Sequence, residues 1–585
     1  MFKSNTKNNL EFYSAILIIV VIQVILMFQG FDVCDDGFVL TSYQQIFNTP
    51  SSVEYNFVYW LSSIIGGLWY KLYEDGGILW FRVLAVIVNT STFIIAYKTL
   101  KPFMNKRSVL IGLAMVLFAN NYGFLTFYHN HITAFLAVLS MHVLVVGLTE
   151  QKSWAIVLSG FIIAINVFSR IPNITLFSFI LAIPFVGYLN NQPFSKSIRP
   201  LLQFLLGSAI GLVAIYLVLS SLNQLEIMKN ALFSLVDLGK TEGSTHNVSD
   251  MLIMYIHNYL NLIIKSIEVI ALIVLILGSM LFVKASKFIK YIIYGLGFIG
   301  VILFFKVSDI YTIYAMSFIG TLGVLVTKQK SYEIKLIAFL ALLMLLFLPL
   351  GSGGGISSSG YMCIWLATPL FFHLLTQFEN FNINYKTNQE TVKIVISANM
   401  LRNTVIILVL SYFIAKAYNV SNEAYFDEGS RFNKTFVINN KLAKGIYTTQ
   451  ERAEIINDLL VNLDEYVEPD DYLFTYDNIP MVHFLTETKP YMYNPWVWIY
   501  DGHSFEKNIA RAEKEIGVLP IIVQQKFDTV GSFSQPITNY MSENQETSVF
   551  FDKRRVVAMN AFIKRNNYEI VWSNPYFNIY KSNKK

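Results

Sequence analysis

The sequence predicts a polytopic α-helical membrane protein that ends in a soluble α/β domain. Of the 585 residues, 54% are hydrophobic and 14% are charged, and the mean hydropathy is +0.48. A soluble globular protein of this size has no use for so much apolar surface, so most of the chain is expected to lie in a membrane. The apolar stretches have the length of helices and lack the short alternating pattern of a β-barrel. Residues 420–585, by contrast, are polar.

About 20 apolar residues are needed for a helix to cross a bilayer, and about 13 stretches are candidates for such helices. They are residues 14–29, 78–98, 108–122, 131–148, 154–169, 173–189, 201–221, 259–283, 291–306, 310–326, 334–350, 361–378 and 402–418. The first stretch follows Lys3 and Lys7, and no small-residue cleavage site comes after it. We therefore expect a retained helix rather than a signal peptide.

Two segments of the membrane part are not expected to span. Tyr43–Phe47 and Phe57–Tyr73 are apolar and aromatic but are interrupted by asparagine, proline and glycine. We expect them to form two helices in the membrane interface, within a first external loop at residues 30–76. Residues 351–360 are almost entirely glycine and serine, which predicts a flexible external loop.

Lysine and arginine are distributed unevenly between alternate loops. With a cytoplasmic N-terminus, the cytoplasmic loops contain Lys98, Lys101, Lys106, Arg107, Lys152, Lys196, Arg199, Lys284, Lys287, Lys290, Lys328, Lys330 and Lys335. The opposite loops contain only Arg170, Lys229, Lys240 and Lys306. Cytoplasmic loops are enriched in these bases, so the N-terminus is predicted inside and, after an odd number of spans, residues 420–585 outside. The net charge of +5 thus reflects topology and does not indicate nucleic-acid binding.

Helix and strand patterns alternate within residues 420–585. The helical stretches are Glu451–Tyr466 and Phe505–Ile516, and the β-type runs are Tyr472–Tyr476, Pro520–Val523, Tyr568–Val571 and Tyr576–Tyr580. This alternation predicts a small α/β domain on the outer face, which leaves residues 1–419 as the membrane domain.

The most unusual polar stretch is Gly30–Gly37, which contains Asp32, Asp35 and Asp36 where the first apolar segment ends. Carboxylates are costly near hydrocarbon, and these have no positive partner in the local sequence. One explanation is structural: Asp36 would cap a short helix that starts at Gly37. Another is a divalent cation such as Mg²⁺ or Mn²⁺, for which Asp32 and Asp36 would be ligands.

Further polar groups fall on the same predicted face. They are His129 and His131 in the second external loop, Arg170 in the third, Lys306 in the fifth, and Lys265 within the eighth span, three residues before Glu268. Ordinary explanations are available for most of them. The histidines would belong to an interfacial belt, Arg170 would extend its charge to the lipid head groups, and Lys265 and Glu268 would neutralise each other. Their coincidence on one face, beside a soluble domain, favours a functional site there.

The predicted topology resembles that of the GT-C membrane glycosyltransferases. The shared features are a cytoplasmic N-terminus, one helix, and an acidic pair that opens a long external loop with two interfacial helices. The local match is Asp35-Asp36-Gly37, where many members have Asp-Glu or a near variant. The superfamily includes protein O-mannosyltransferases, the aminoarabinose transferases of lipid A, and oligosaccharyltransferases, whose acceptor-binding motif is not recognisable here. Its members use polyprenyl-phosphate-linked sugars, and some branches work without a metal.

The residues suit the chemistry that this resemblance implies. Transfer of a sugar from a lipid phosphate to a hydroxyl, with inversion, needs one base, while the phosphate leaves without protonation. Asp36 or Asp35 is the candidate base. Cationic or hydrogen-bonding groups must stabilise the phosphate and hold the substrate. The candidates for that role are Arg170, His129, His131, Lys265 and Lys306.

The expected partners are a polyprenyl-phosphate-linked sugar, membrane lipids, and a glycan, glycolipid or protein acceptor. The Asn-, Lys- and Ile-rich composition indicates a bacterial protein. With the topology predicted from the loop charges, the expected location is the cytoplasmic membrane, with the site on its outer face. A transporter or flippase of lipid-linked sugars is an alternative, which would show repeats and midplane polar groups; only Asn166, His142 and the Lys265–Glu268 pair fit that pattern. A surface-polysaccharide polymerase or ligase is another, with its chemistry in the long loop at residues 222–258.

Overall fold

The computed structural model describes residues 6–120, 123, 125–240, 248–282, 286–329, 331–378, 381–386, 391–527, 531 and 553–584. Helices dominate up to residue 422, and helices and strands alternate after it. The helices of the first part are α1 (Thr6–Leu26), α2 (Asp35–Gln45), α3 (Trp60–Leu72), α4 (Gly77–Leu100), α5 (Lys106–Phe118), α6 (His129–Thr149), α7 (Ser153–Val167), α8 (Ala182–Leu189), α9 (Ser195–Ser221), α10 (Leu225–Lys240), α11 (Val248–Phe282), α12 (Lys287–Phe304), α13 (Ile310–Val326), α14 (Tyr332–Phe347), α15 (Gly355–Cys363), α16 (Ala367–Thr376) and α17 (Ala398–Asn422). Two long 3₁₀ segments, Pro50–Tyr59 and Ile171–Leu181, precede α3 and α8.

Each apolar stretch predicted from the sequence coincides with one of these helices or with a consecutive pair. Residues 121, 122 and 283, at the ends of two predicted spans, lie outside the described residues. Among the described helices, seven are long and apolar enough to cross a membrane, or eight if the pair α15–α16, bent by 66°, counts as one span. Three shorter apolar helices lie at Leu10–Leu26, Ser153–Val167 and Ile310–Val326. The polytopic helical class is confirmed, whereas a count of thirteen spans is not established.

The sequence predicted a loop for the glycine- and serine-rich segment at residues 351–360, but only residues 352–354 form a turn and the residues after them belong to helix α15. Gly355, with φ of +53°, begins α15, which continues to Cys363. The side chain of Asn258, on α11, supports this start because its Oδ1 accepts a hydrogen bond from the backbone N–H of Ile356 at 3.0 Å. The helix thus depends on a partner almost a hundred residues away, which local composition does not reveal.

Two short helices were predicted at Tyr43–Phe47 and Phe57–Tyr73. Helix α3 and the end of the 3₁₀ segment before it cover the second, whereas the first overlaps only the end of α2, which runs from Asp35 to Gln45. All residues of α2 are buried. A Cβ atom at Gly37 would lie 2.1 Å from the backbone nitrogen of Met481, so glycine is required for this close approach. Helix α2 is therefore packed directly against the C-terminal part of the chain.

The C-terminal part contains the sheet that the sequence predicted. Its strands and helices are β3 (Phe436–Val437), β4 (Tyr447–Thr448), α18 (Gln450–Leu463), β5 (Tyr472–Tyr476), α19 (Met481–Thr486), β6 (Lys489–Pro490), α20 (Gly502–Glu515), β7 (Ile521–Gln525), α21 (Lys553–Arg565), β8 (Tyr568–Ser573) and β9 (Phe577–Ser582). The five-stranded sheet has the order β6-β5-β7-β9-β8, in which β5 is parallel to β6 and β7, and β9 is antiparallel to β7 and β8. The four predicted strands correspond to β5, β7, β8 and β9. The hairpin β1 (Phe381–Lys386) and β2 (Thr391–Ile396), and helix α21, were not predicted.

One hydrophobic core joins the first external loop to the C-terminal part. It contains Phe31, Phe38 and Tyr43 from the loop together with Phe474 and Phe505 from the C-terminal elements. These side chains are almost completely buried. Because the two parts share a core, the groups that face each other between them are held in fixed positions.

Candidate active site

Asp32 organises the acidic loop. Its Oδ1 accepts a hydrogen bond from the N–H of Cys34 at 2.7 Å, and its Oδ2 accepts one from the N–H of Asp36 at 2.8 Å. These bonds satisfy backbone donors at the start of α2, which begins at Asp35. The capping role predicted for Asp36 thus belongs to Asp32, and the helix begins two residues earlier than Gly37.

Asp36 has a positive partner that lies far away in the sequence. Its Oδ2 accepts a hydrogen bond from Thr126 Oγ1 at 2.7 Å and lies 3.4 Å from Nη2 of Arg82, on α4. Both members of the ion pair are buried. Arg82 also donates to the carbonyls of Met27 and Gly30, each at 2.7 Å. Asp36 and Arg82 therefore hold the acidic loop against the helices. Asp36 is not among the residues that line the neighbouring cavity.

Asp35, by contrast, faces a cavity with a volume of about 690 Å³. Its carboxylate accepts a hydrogen bond from the hydroxyl of Tyr425, which also lines the cavity. Burial raises the pKa of Asp35 to about 6; the hydrogen bond from Tyr425 opposes this rise and the charge of Asp36 adds to it. Asp35 is thus a carboxylate of increased basicity that remains ionised at neutral pH.

The neighbouring acids are perturbed in the same direction. Burial raises the pKa of Asp32 well above its usual value, and the charges of Asp36 and Asp35 add to the rise. Burial also raises the pKa of Asp36, against the opposing effect of the charge on Arg82. Clusters of perturbed carboxylates at a cavity are typical of active sites.

The cavity is lined by residues from both halves of the chain. Its lining includes Asp35, Tyr55 and Tyr59 from the first external loop, Tyr128, His129 and Asn130 at the start of α6, Arg170 and Pro172, the segment 351–354, and Tyr425, Phe426, Trp496 and Trp498 from the C-terminal part. Asp35 and Arg170 are the only fully charged side chains among the described lining residues. One anionic and one cationic group thus face a shared space of ligand size.

Arg170 is fixed on one side of its guanidinium group and unpaired on the other. Its Nη2 donates a hydrogen bond to the carbonyl of Gly351 at 2.9 Å. Its Nη1 is buried and has no hydrogen-bond partner among the described residues. A buried donor without an acceptor costs free energy unless a ligand provides the acceptor. The arrangement is therefore suited to an anion.

His129 presents a second buried nitrogen to the same cavity. Its ring stacks on that of Tyr59, with centroids 3.9 Å apart and an interplanar angle of 10°. Its Nδ1 is buried and has no hydrogen-bond partner within the described part of the chain. The stacked ring is held in place, so Nδ1 is available to bind a polar group of a ligand.

The other three candidates lie elsewhere. Nδ1 of His131 accepts a hydrogen bond from the N–H of Tyr128 at 3.0 Å, which helps to cap α6. Lys265 is 2.5 Å from Glu268, in the self-neutralising pair that was the ordinary explanation. Lys306 lies between α12 and α13, where its carbonyl accepts a hydrogen bond from the N–H of Asp309 at 2.9 Å. None of the three is among the described residues that line the cavity.

Sequence analysis overlooked several residues of the site. Arg82 carried a usable signal, because a charged residue within an apolar stretch is unusual and has a functional or structural partner. Tyr59, Tyr425, Trp496 and Trp498 carried none, because aromatic residues are abundant throughout this sequence. Only the contacts of the folded chain distinguish these four from the others.

The acidic loop does not fit a divalent cation well. Within the described ranges, no group of three or more His, Cys, Asp or Glu residues is arranged to hold a metal ion. Both oxygens of Asp32 accept backbone hydrogen bonds, and Asp36 lies beside the guanidinium of Arg82, which would repel a cation. A metal site of Mg²⁺ or Mn²⁺ at Asp32 and Asp36 stays a prediction that this set of ligands does not favour.

Comparisons with known proteins support the architecture. The sequence matches no protein-family profile and no curated protein. The structure is similar to the crystal structure of ArnT from Cupriavidus metallidurans bound to undecaprenyl phosphate, with a TM-score of 0.50 and 8% sequence identity, over 99% of this chain and 98% of that chain. Because the identity is so low, the similarity concerns the fold. The chain therefore has a fold similar to that of ArnT.

Proposed function

We propose that this protein is a glycosyltransferase that moves a sugar, a hexose or a pentose, from a polyprenyl-phosphate donor to a glycan, glycolipid or protein. One observation carries the proposal: Asp35, Arg170 and His129 line the same cavity, and the last two present buried nitrogens without a hydrogen-bond partner among the described residues. The similarity in fold to a protein crystallised with undecaprenyl phosphate supports the class of donor.

The phosphate of the donor would bind at Arg170 and His129. An anionic oxygen supplies the acceptor that Nη1 of Arg170 lacks, and the hydrogen bond to Gly351 keeps the guanidinium oriented. Charge-assisted hydrogen bonds of this kind are stronger than neutral ones. His129 would donate through Nδ1 to a second phosphate oxygen. As the bond to the sugar breaks, negative charge grows on the phosphate, so these donors stabilise the transition state more than the ground state.

Asp35 is the base in this proposal. It takes the proton of the acceptor hydroxyl while the hydroxyl oxygen attacks the anomeric carbon of the donor sugar. The bond between that carbon and the phosphate oxygen breaks, its electron pair stays on the phosphate, and polyprenyl phosphate leaves. The raised pKa of Asp35, about 6, makes it a better proton acceptor than an ordinary aspartate while leaving it ionised at neutral pH.

Asp36 and Asp32 position this base. Asp32 accepts hydrogen bonds from the first turn of α2, and Asp36 pairs with Arg82 and Thr126. These contacts hold the helix start from which the Asp35 side chain extends into the cavity. Replacement of Asp36 is therefore expected to act mainly through stability, because it leaves a buried arginine without its anionic partner.

The orientation of the chain is also part of the proposal. We place the N-terminus in the cytoplasm and both the cavity and the C-terminal part outside a bacterial inner membrane. The support is the excess of lysine and arginine in alternate loops. On that side, a lipid-linked donor meets acceptors of the cell envelope.

The test is transfer by the purified full-length protein in proteoliposomes that contain a polyprenyl-phosphate sugar. Asp35→Asn removes the general base and is therefore expected to reduce turnover by a factor of about 10²–10⁴. The melting temperature of this variant should be unchanged. Wild-type activity should rise with pH through about 6 and then level off, because only the ionised carboxylate accepts a proton.

Asp36→Asn serves as the matched comparison and should lower the melting temperature. Near-normal turnover of Asp35→Asn, or full loss in Asp36→Asn at unchanged stability, would contradict the assignment of the base. A flippase would move the donor between leaflets but release no polyprenyl phosphate, so measuring that product separates the two functions. A polymerase would instead extend the donor-linked glycan itself.

A further inference from the structure

Two tryptophans of the C-terminal part form a stacked aromatic pair at the cavity. The rings of Trp496 and Trp498 are nearly parallel, with an interplanar angle of 12° and centroids 5.4 Å apart. Both side chains are half-buried and both line the cavity. The catalytic arrangement proposed above uses neither of them.

Trp496 is held rigidly. Its Nε1 donates a hydrogen bond to Oδ1 of Asn478 at 2.7 Å, and its backbone N–H donates to Oδ1 of Asn494 at 3.0 Å. The indole also makes an edge-on contact with Phe38 of α2, at a centroid distance of 5.7 Å. The indole pair therefore keeps its orientation without a ligand, which lowers the entropic cost of binding one.

The aromatic series continues from these indoles to the proposed phosphate site. Phe38 contacts Tyr59 at a centroid distance of 6.1 Å, and Tyr59 stacks on His129 at 3.9 Å. Trp496 and Trp498 thus lie at one end of this aromatic series, in the C-terminal part. His129 lies at the other end, at the start of helix α6. A donor whose lipid tail lies among those helices occupies the His129 end, which leaves the indoles to the other substrate.

We propose that Trp496 and Trp498 form a stacking platform for a pyranose ring of the acceptor, which makes the acceptor a saccharide. This inference rests on the proposed function. The C–H groups on one face of a sugar ring are weakly positive and pack on the negative face of an indole. Asp35 and Arg170, the charged side chains among the described lining residues, act on the acceptor hydroxyl and the phosphate in the proposed transfer, and the indoles themselves carry no charge. A neutral sugar fits this surface better than a charged peptide.

The test measures binding of lipid-free trisaccharides of glucose, mannose and N-acetylglucosamine to the full-length protein in nanodiscs, by saturation-transfer NMR. Wild-type protein should bind at least one of them saturably. Trp498→Ala should weaken that binding roughly tenfold, whereas Trp498→Phe, which keeps an aromatic face, should retain most of it. Trp154→Ala is the matched control, because Trp154 is 60% exposed and is not among the lining residues.

Failure of this inference is distinguishable from failure of the proposed function. Asp35→Asn should bind the trisaccharide as the wild type does, since the platform does not need the base. In the transfer assay, Trp498→Ala should raise the KM for the acceptor roughly tenfold and leave the KM for the donor unchanged. The same sugars attached to a lipid within the nanodisc distinguish a glycolipid head group from a free glycan.

The platform would be refuted by either of two results. The first is that no trisaccharide binds to the wild type at tens of millimolar. The second is that Trp498→Ala and Trp498→Phe both bind as the wild type does. Melting temperatures of the variants show whether a loss of binding reflects misfolding.

Discussion

Asp35 and Asp36 are adjacent in the sequence, yet their surroundings differ. Asp35 lines the cavity and accepts a hydrogen bond from Tyr425, whereas Asp36 is paired with Arg82 and Thr126. Consecutive residues of a helix point about 100° apart, so the two carboxylates meet different surroundings. Two carboxylates of the same motif thereby receive different roles, one in proton transfer and the other in positioning.

At the scale of a single residue, substitutions of Arg170 test the proposed phosphate-binding role directly. One side of its guanidinium is bound to the carbonyl of Gly351 and the other is unpaired among the described residues. Lysine retains the charge but lacks the planar fork of two nitrogens with which Arg170 would contact Gly351 and a phosphate at once. We expect Arg170→Lys to raise the KM for the lipid-linked donor roughly tenfold, and Arg170→Ala to raise it further.

The measurement is the dependence of transfer on donor concentration in proteoliposomes. Arg199→Lys, on an exposed arginine that is not among the described lining residues, is the control and should behave as the wild type. If Arg170→Lys uses the donor as well as the wild type does, Arg170 merely reaches the lipid head groups and the phosphate role is lost.

At the scale of elements, a buried ionic cluster joins the acidic loop to the C-terminal part. The carboxylate of Asp427 accepts a hydrogen bond from the N–H of Phe31 at 2.8 Å and lies 3.0 Å from Nζ of Lys434 and 3.3 Å from Nε of Arg452. Arg452 donates in turn to the carbonyl of Phe31 at 3.1 Å. The chain just before Asp32 is thus held on both sides by groups that follow α17.

Asp427→Asn is expected to destabilise the protein by about 3 kcal/mol, because it leaves two buried cations without their anion. The melting temperature and the transfer activity should fall together, since the acidic loop loses its support. Asp464→Asn, at an exposed position on the end of α18, should change neither. An Asp427→Asn protein with wild-type stability would show that the cluster does not hold the loop.

The elements that sequence analysis located are those with a local pattern. Strand β5 and helices α18 and α20 follow from alternation, periodicity and caps within their own residues. Helix α15 was missed because its glycine- and serine-rich start is stabilised by Asn258 on another helix. The hairpin β1–β2 was not predicted, and its residues lie in the connection between two predicted spans.

At the scale of the whole molecule, the prediction concerns topology. The cavity is lined by both the first external loop and the C-terminal part, so the two must lie on the same side of the membrane. Cysteines introduced at Asp75 and at Glu454, both exposed, should react with an impermeant maleimide added to intact cells. A cysteine at Lys152 should react only after permeabilisation, because its loop belongs to the basic, cytoplasmic set.

The native thiols do not complicate this experiment, because Cys34 and Cys363 are both buried. Reaction at Asp75 without reaction at Glu454, or reaction at Lys152 in intact cells, would contradict the proposed orientation.

The sequence alone determined the class of this protein, the positions of its apolar helices, the four main strands of its C-terminal sheet and the presence of an acidic loop. Hydropathy, periodicity and charge bias are properties of neighbouring residues, so no folded structure is needed to recognise them. The tertiary structure decided which acid faces the cavity, that Arg82 neutralises Asp36, and that Nη1 of Arg170 finds no partner in the described part of the chain. Each of these depends on a contact between residues that are distant in the chain, and such contacts exist only after packing has brought them together.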